Sequence, residues 1–279
     1  VVGIVKSWLA GDTAALRWLS FEDYARKVFG NDHEGWYREP MRYATGLADA
    51  NNVLGSQVVA FDFGRVIKAY VDPGATVGGS ERVSAILGDD NFKAFCKDAI
   101  GAMTHQFSAK ADVMLALPSP SALLIELGED NTDIDFDMLD DTATLLADLL
   151  RGFAELEIAG LVLAFVDHFE ESGVDLGDEG EACEVLQGVA GHYDWVFALS
   201  LESTELAERL EELTADIHLF ATFDADQLDN QGRPGGGGLN SDFWNGNALP
   251  PVVGACLYGE VPASLDPKLV VERIRHLPE

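Results

Sequence analysis

The sequence predicts an α/β fold: a (β/α)8 barrel of the TIM type, one domain over residues 1–279. Three observations carry this. Near-continuous apolar runs alternate with longer amphipathic segments, as in a parallel sheet buried on both faces and covered by helices. No GxGxxG follows any of the runs, which removes the usual mark of an open dinucleotide-binding sheet. The length of 279 residues suits a barrel of eight such units.

Taken in order, "ALRWLSF" (15–21) is the best candidate for the first strand, and "SQVVAFDFG" (56–64) is the next. "NFKAFCKDAIGAMTHQF" (91–107) has helical spacing, with Phe92, Phe95, Ala99, Met103 and Phe107 on about one face. "ADVMLALPSP" (111–120) is a strand stopped by Pro118 and Pro120. A long helix is expected over 135–160, capped by Asp135 or Asp137, because a carboxylate there accepts from free backbone N–H groups. Strand 160–167, helix 179–193, strand 195–202 and helix 203–213 follow, then the strand "ADIHLFATFD" (215–224). "VVGACLYGEVP" (252–262) is another strand, and "DPKLVVERIRHL" (266–277) is a helix with Asp266 as N-cap and Pro267 at N1. The first and last strands are expected to be incomplete or modified. "QGRPGGGG" (231–238) reads as too flexible for an element interior, so it is expected in a loop over the mouth, acting as a lid or as plain surface.

Composition limits the function classes. Lys and Arg number 18 against 48 Asp and Glu, a formal charge of −30. Such a surface repels nucleic-acid phosphates and anionic membranes, so neither is an expected partner. No apolar run of about 18 residues suggests a transmembrane helix. "VVGIVKSWLAGD" has no basic region ahead of an apolar stretch, so no signal peptide is expected. Cys96, Cys183 and Cys256 are odd in number and far apart, which argues against a disulfide framework and for a cytoplasmic location. The expected partner is a small-molecule substrate, with a homodimer left open.

Three passages carry a family resemblance: "GLADANNVLGSQVVAFDFG" (46–64), "VMLALPSPSALLIEL" (113–127) and "CLYGEVPASLDPKLVVERIRHLP" (256–278). Together the chain resembles the uroporphyrinogen decarboxylase / cobalamin-independent methionine synthase superfamily of barrels, as a divergent member. The resemblance implies an acidic residue at the tip of 56–64 and a further strand after the 266–277 helix. The family's arginine grip has its spacing in "REPMRY" (Arg38, Arg42, Tyr43), but in the wrong place, and is read as coincidence. The family's zinc methyltransferases carry His-x-Cys. Here His218 occupies the His position and Phe220 the Cys position, so the standard zinc site is broken. His218, Cys256 and Glu260 remain weak metal candidates; no cofactor is the leading expectation, with zinc the alternative.

Chemistry in a barrel sits at the C-terminal ends of the strands. The candidate catalytic groups there are Asp62, the Asp167–His168 pair, His218, Asp224 and Glu260, all at or near strand tips. Asp167 could set the tautomer of His168. His218 and Asp224 share strand parity, and a core histidine is the plainer reading of His218. Arg65, Ser119, Glu202 and Tyr258 are candidate substrate-binding residues; the plainer reading of Arg65 is a brace for Asp62, and that of Glu202 is a residue preceding an N-cap at Ser203 or Thr204. The alternating carboxylates of "EDNTDIDFD" (129–137) fail the EF-hand pattern and suit capping. The leading expectation is lyase or decarboxylase chemistry on a small organic substrate other than uroporphyrinogen. In the family's decarboxylases a carboxylate stabilises developing positive charge, the role the resemblance implies for Asp62. Methyl transfer with a folate or corrinoid carrier is the runner-up, and a non-catalytic accessory member is the third reading.

Overall fold

A computed structural model describes residues 3–13, 15–30, 35–72, 77–165, 174–210, 212–222, 234–247 and 256–277. Eight parallel strands close into a barrel in chain order. They are β1 (Leu16–Ser20), β2 (Val58–Asp62), β3 (Asp112–Pro118), β4 (Gly160–Ala164), β5 (Val196–Ser200), β6 (Ile217–Leu219), β7 (Gly235–Gly238) and β8 (Cys256–Glu260). The strand at 15–21 is therefore present. The barrel closes by pairing β8 directly with β1, from Leu16↔Cys256 to Ser20↔Glu260.

Two apolar layers follow from the alternation of side chains along each strand. One fills the lumen: Leu16, Trp18, Val58, Met114, Val162, Val196, Ala198, Ile217, Leu219 and Cys256. The other packs the outer face of the strands against the helices, as Val59, Phe61, Leu115, Leu161 and Phe197 do. A short helix, α1 (Ile4–Leu9), places Val5 and Trp8 in the lumen layer at the N-terminal end of the barrel. It is anchored there by Val5 N donating to Asp112 Oδ2 at 2.8 Å.

Helix ends follow local sequence. α2 (Glu22–Val28) and α3 (Pro40–Leu54) lie between β1 and β2, and α3 stops at Gly55, whose φ of 64° suits glycine. α4 (Phe63–Tyr70) starts directly from β2 with Asp62 as its cap. α5 (Gly79–Gly88) and α6 (Asp90–Phe107) follow, the latter capped by Asp89. α7 (Pro120–Glu126) is capped by Ser119, and α8 (Phe136–Arg151) by Asp135 rather than Asp137. α8 ends well before residue 160, at the Gly152 cap. α9 (Leu176–His192) and α10 (Thr204–Arg209) flank β5, with Ser203 capping α10. α11 (Ser241–Trp244) follows β7. α12 (Pro267–Ile274) has the expected Asp266 cap and Pro267 at its start. Among the described residues no helix is long and apolar enough to cross a membrane.

Two expectations are corrected. Gly235–Gly238 is not loop but the seventh strand, hydrogen-bonded between β6 and β8. Glycine is required there by space: a Cβ on Gly236 would lie 2.8 Å from both Cys256 Sγ and a Leu219 methyl, which already fill the lumen. With the glycine tract as a strand, the run at 252–262 holds the eighth strand. Closure of the barrel therefore needs no strand after α12.

Gly259 of β8 is similarly constrained, because a Cβ there would overlap the Leu239 carbonyl oxygen, a backbone atom that cannot swing aside. Gly259→Ala should cost about 1–3 kcal/mol in urea unfolding, the usual range for overpacking. Gly88→Ala, whose Cβ would meet nothing within 4 Å, is the matched control and should be neutral or slightly stabilising.

Candidate active site

The inward parity that fills the lumen with apolar groups continues upward into polar ones. Ser20, Asp62, Ser200 and Tyr258 line a cavity of about 120 Å³ at the C-terminal mouth. Its floor and walls include Trp18, Ala60, Ala116, Val162 and Leu219. Tyr258 stands edge-on to Trp18, ring centroids 5.9 Å apart, and its hydroxyl lies 3.3 Å from Ser200 Oγ. Burial pushes the Tyr258 phenol above its ordinary pKa, against the pull of the Ser200 hydrogen bond.

Glu22 also lines this cavity. It opens α2 directly after β1, so the barrel brings its carboxyl over the lumen, and it is only 6% exposed. Tyr43 donates to Glu22 Oε2 at 2.8 Å. Tyr37 also lies close enough to favour the ionised form. The other carboxyl oxygen, Oε1, is buried without a hydrogen-bond partner among the described residues. Burial, then the charge of Asp62, raise the Glu22 pKa from 4.5 to about 8, against the opposing pull of Arg65 and the tyrosines. At neutral pH this carboxyl is largely protonated.

Arg65 braces the rim. Its Nε donates to Asp62 Oδ2 at 3.0 Å, its Nη1 pairs with Asp23 of α2, and its Nη2 lies 3.4 Å from Glu260 Oε1. Asp62 accepts as well from the Arg65 backbone N–H at 3.2 Å, so one residue is both cap and ion-pair partner. Burial alone would lower the Arg65 pKa, but Asp62, Glu22 and Asp23 outweigh it and hold the guanidinium charged. One cation thus ties together α2 and the ends of β2 and β8 and carries three carboxylates.

Of the residues expected from the sequence, Asp62, Arg65, Tyr258 and Glu260 are brought to this mouth; Glu260 sits at its rim, about half exposed. Asp167, His168 and Asp224 lie outside the described residues. Three expectations are corrected. His218 lies between the lumen residues Ile217 and Leu219, so it faces the helix layer, as does its neighbour in parity Phe220. Ser119 is fully buried as the α7 cap and packs beside Ser121. The Ser121 backbone N–H donates to the buried Glu179 carboxylate at 3.1 Å. Glu202 is exposed on the loop after β5 and does not line the cavity.

The proposed metal ligands do not converge. His218 points outward and Cys256 lies in the lumen beside Leu16. Glu260 is roughly 13 Å further up the same strand and pairs with Arg65. Among the described residues no group of three or more His, Cys, Asp or Glu side chains is placed to hold a metal ion. These residues therefore do not fit the zinc site of the resemblance. Arg42 pairs with Glu39 and Arg38 stacks over Tyr70, so "REPMRY" is no substrate grip.

Glu22 escaped the sequence reading because the first strand was poorly defined, and an acid in a first helical turn looks like a partner for the helix dipole. The signal was present: "WLSFE" places a carboxyl just past an apolar strand, the same cue that picks out Glu260.

No family model matches the chain, and no curated protein sequence does. Among solved structures, a methyltransferase from Methanosarcina mazei is similar with a TM-score of 0.64, over 96% of this chain and 95% of that one, at 14% identity. At that identity the likeness establishes the barrel fold alone.

A carboxyl whose folded pKa is raised contributes stability fully below its unfolded value, and loses it as pH rises through the folded value. For Glu22 that window runs from about 4.5 to about 8. Glu22→Gln, a neutral isostere, should therefore gain on wild type by on the order of a few kcal/mol between pH 5 and pH 9 in denaturant unfolding. A difference that is flat with pH would mean that this carboxyl titrates normally.

Proposed function

We propose that the protein is an enzyme of lyase type that moves a proton on a small organic substrate bound at the barrel mouth. The observation that carries this reading is Glu22: a buried carboxyl with a pKa of about 8, lining the cavity beside Asp62. A group that titrates near neutral pH is effective at both giving and taking a proton. Its pKa is set by the same burial that keeps water from competing for it.

The residues divide the work. Glu22 is the proton-transfer group. Asp62, fixed by two hydrogen bonds from Arg65, is the carboxylate against which positive charge on the substrate develops. Ser20, Ser200 and Tyr258 offer hydroxyls to orient the substrate, and the apolar floor receives its carbon skeleton. A substrate recognised through a carboxylate fits poorly. None of the described residues lining the cavity is Lys, Arg or His, and Arg65 is already engaged by three acids. Decarboxylation is therefore a weaker form of this reading than proton transfer to or from carbon, or elimination.

Methyl transfer is the second reading, supported by the similarity to the Methanosarcina methyltransferase. It would need a way of activating the acceptor other than the zinc site of the resemblance, since His218 and Cys256 face opposite sides of the barrel wall.

Pools of small neutral and basic metabolites, incubated with the protein in D2O and read by mass spectrometry, should yield a compound that gains solvent deuterium or is cleaved. Glu22→Gln should slow that turnover by about 100-fold or more, and Asp62→Asn should also slow it. Turnover that survives both substitutions would place the chemistry elsewhere; transfer of a methyl group without deuterium uptake would favour the second reading.

A further inference from the structure

The cavity has a charge and hydrogen-bond pattern that no residue in it satisfies. Around Arg65 stand three carboxylates, Asp23, Asp62 and Glu260, and only Asp23 has a second cation, Arg26, so the rim keeps an excess of one negative charge. Inside, Glu22 Oε1 is buried without a partner among the described residues, although Oε2 is held by Tyr43. Glu22 lines a cavity with room for a ligand, and its unpartnered oxygen is an acceptor awaiting a donor once the carboxyl turns toward that space. The walls carry Trp18 and Tyr258, whose ring quadrupoles favour a nearby cation. Below them the surface is apolar.

From this we infer that the mouth binds the protonated amino group of a small organic amine, with Glu22 and Asp62 accepting its N–H groups and its alkyl part on the lumen floor. This names the substrate class for the proton-transfer reading and rests on that reading. An ammonium bearing N–H groups is specified rather than a quaternary one, because only N–H can satisfy Oε1. The excess charge excludes anions, and a neutral amide would leave that excess uncompensated. The groups facing Glu22 are Asp62, Arg65, Tyr37 and Tyr43. A cation added to this set draws the proton from Glu22, so binding at pH 7 releases protons and leaves the carboxylate ready to act as a base.

The test is a saturation-transfer NMR titration of the full chain at low ionic strength. The probes are n-butylammonium, butyramide, butyrate and tetramethylammonium, followed by calorimetry in two buffers of different ionisation enthalpy. n-Butylammonium should bind, release protons at pH 7 and tighten from pH 6 to pH 8. Glu22→Gln and Asp62→Asn should each weaken it by at least about ten-fold, as loss of a charge-assisted bond does. Ser200→Ala, which leaves both carboxyls in place, keeps the test open if either acid variant misfolds, and there the proton release should persist. If butyrate or butyramide binds instead with the same sensitivity to Glu22→Gln, the ammonium assignment fails while the mouth stands as the active site. Equal binding of tetramethylammonium overturns the requirement for N–H donors. Absence of n-butylammonium binding, or binding indifferent to Glu22→Gln, overturns the inference, and the deuterium-uptake assay then judges the proton-transfer reading on its own.

Discussion

Five parallel residue pairs between Leu16–Ser20 and Cys256–Glu260 close the barrel, and everything at the mouth depends on them. The closure places Ser20 beside Glu260 and Trp18 beside Tyr258, joining residues from opposite ends of the chain. Between Leu219 and Cys256 there is no room for a side chain at Gly236 of β7, so a glycine completes the ring at that point. Glycine weakens an isolated strand, yet here the strand is held by hydrogen bonds on both sides and needs no side chains of its own.

The mouth is built as a charge network centred on Arg65, with Arg26 paired to Asp23 at its edge. Arg65 links α2, the tip of β2 and the tip of β8, so the geometry of the cavity is tied to the closure of the wall. Glu22 sits at the inner edge of this network, where Tyr43 and the surrounding apolar residues remove it from water. Its raised pKa is thus a consequence of packing first and of neighbouring charge second. The same displacement costs stability at high pH, a trade common where a group is held for chemistry rather than for folding. The acidity of the whole chain, with 48 Asp and Glu against 18 Lys and Arg, sets a background in which a cation approaching the mouth is attracted and an anion repelled.

Much of this site was legible, but unevenly. Asp62, Arg65, Tyr258 and Glu260 stand at the ends of clear apolar runs, and in a barrel that position alone directs them to the mouth. Glu22 follows the same rule, but its strand is short and mixed, with Arg17 and Ser20 breaking the apolar pattern. His218, for which the core reading held and the catalytic one did not, was ambiguous for another reason. Its strand is buried on both faces, so hydrophobicity does not reveal which parity turns inward, and a slip of one residue exchanges lumen for helix layer. Ser119 lies at a strand end too, but its hydroxyl is spent on capping α7.

The sequence by itself determined the class of fold, most strand and helix positions, the cap at Asp266, and the strongly acidic charge balance of the chain. These are properties of local pattern and composition. Tertiary structure alone decided that glycines form a strand, that His218 faces outward, and that Glu22, Arg65, Asp62 and Glu260 meet. The reason is physical: parity, burial and the pKa shift that follows from burial depend on which distant residues close around a group, and no local window of sequence contains them.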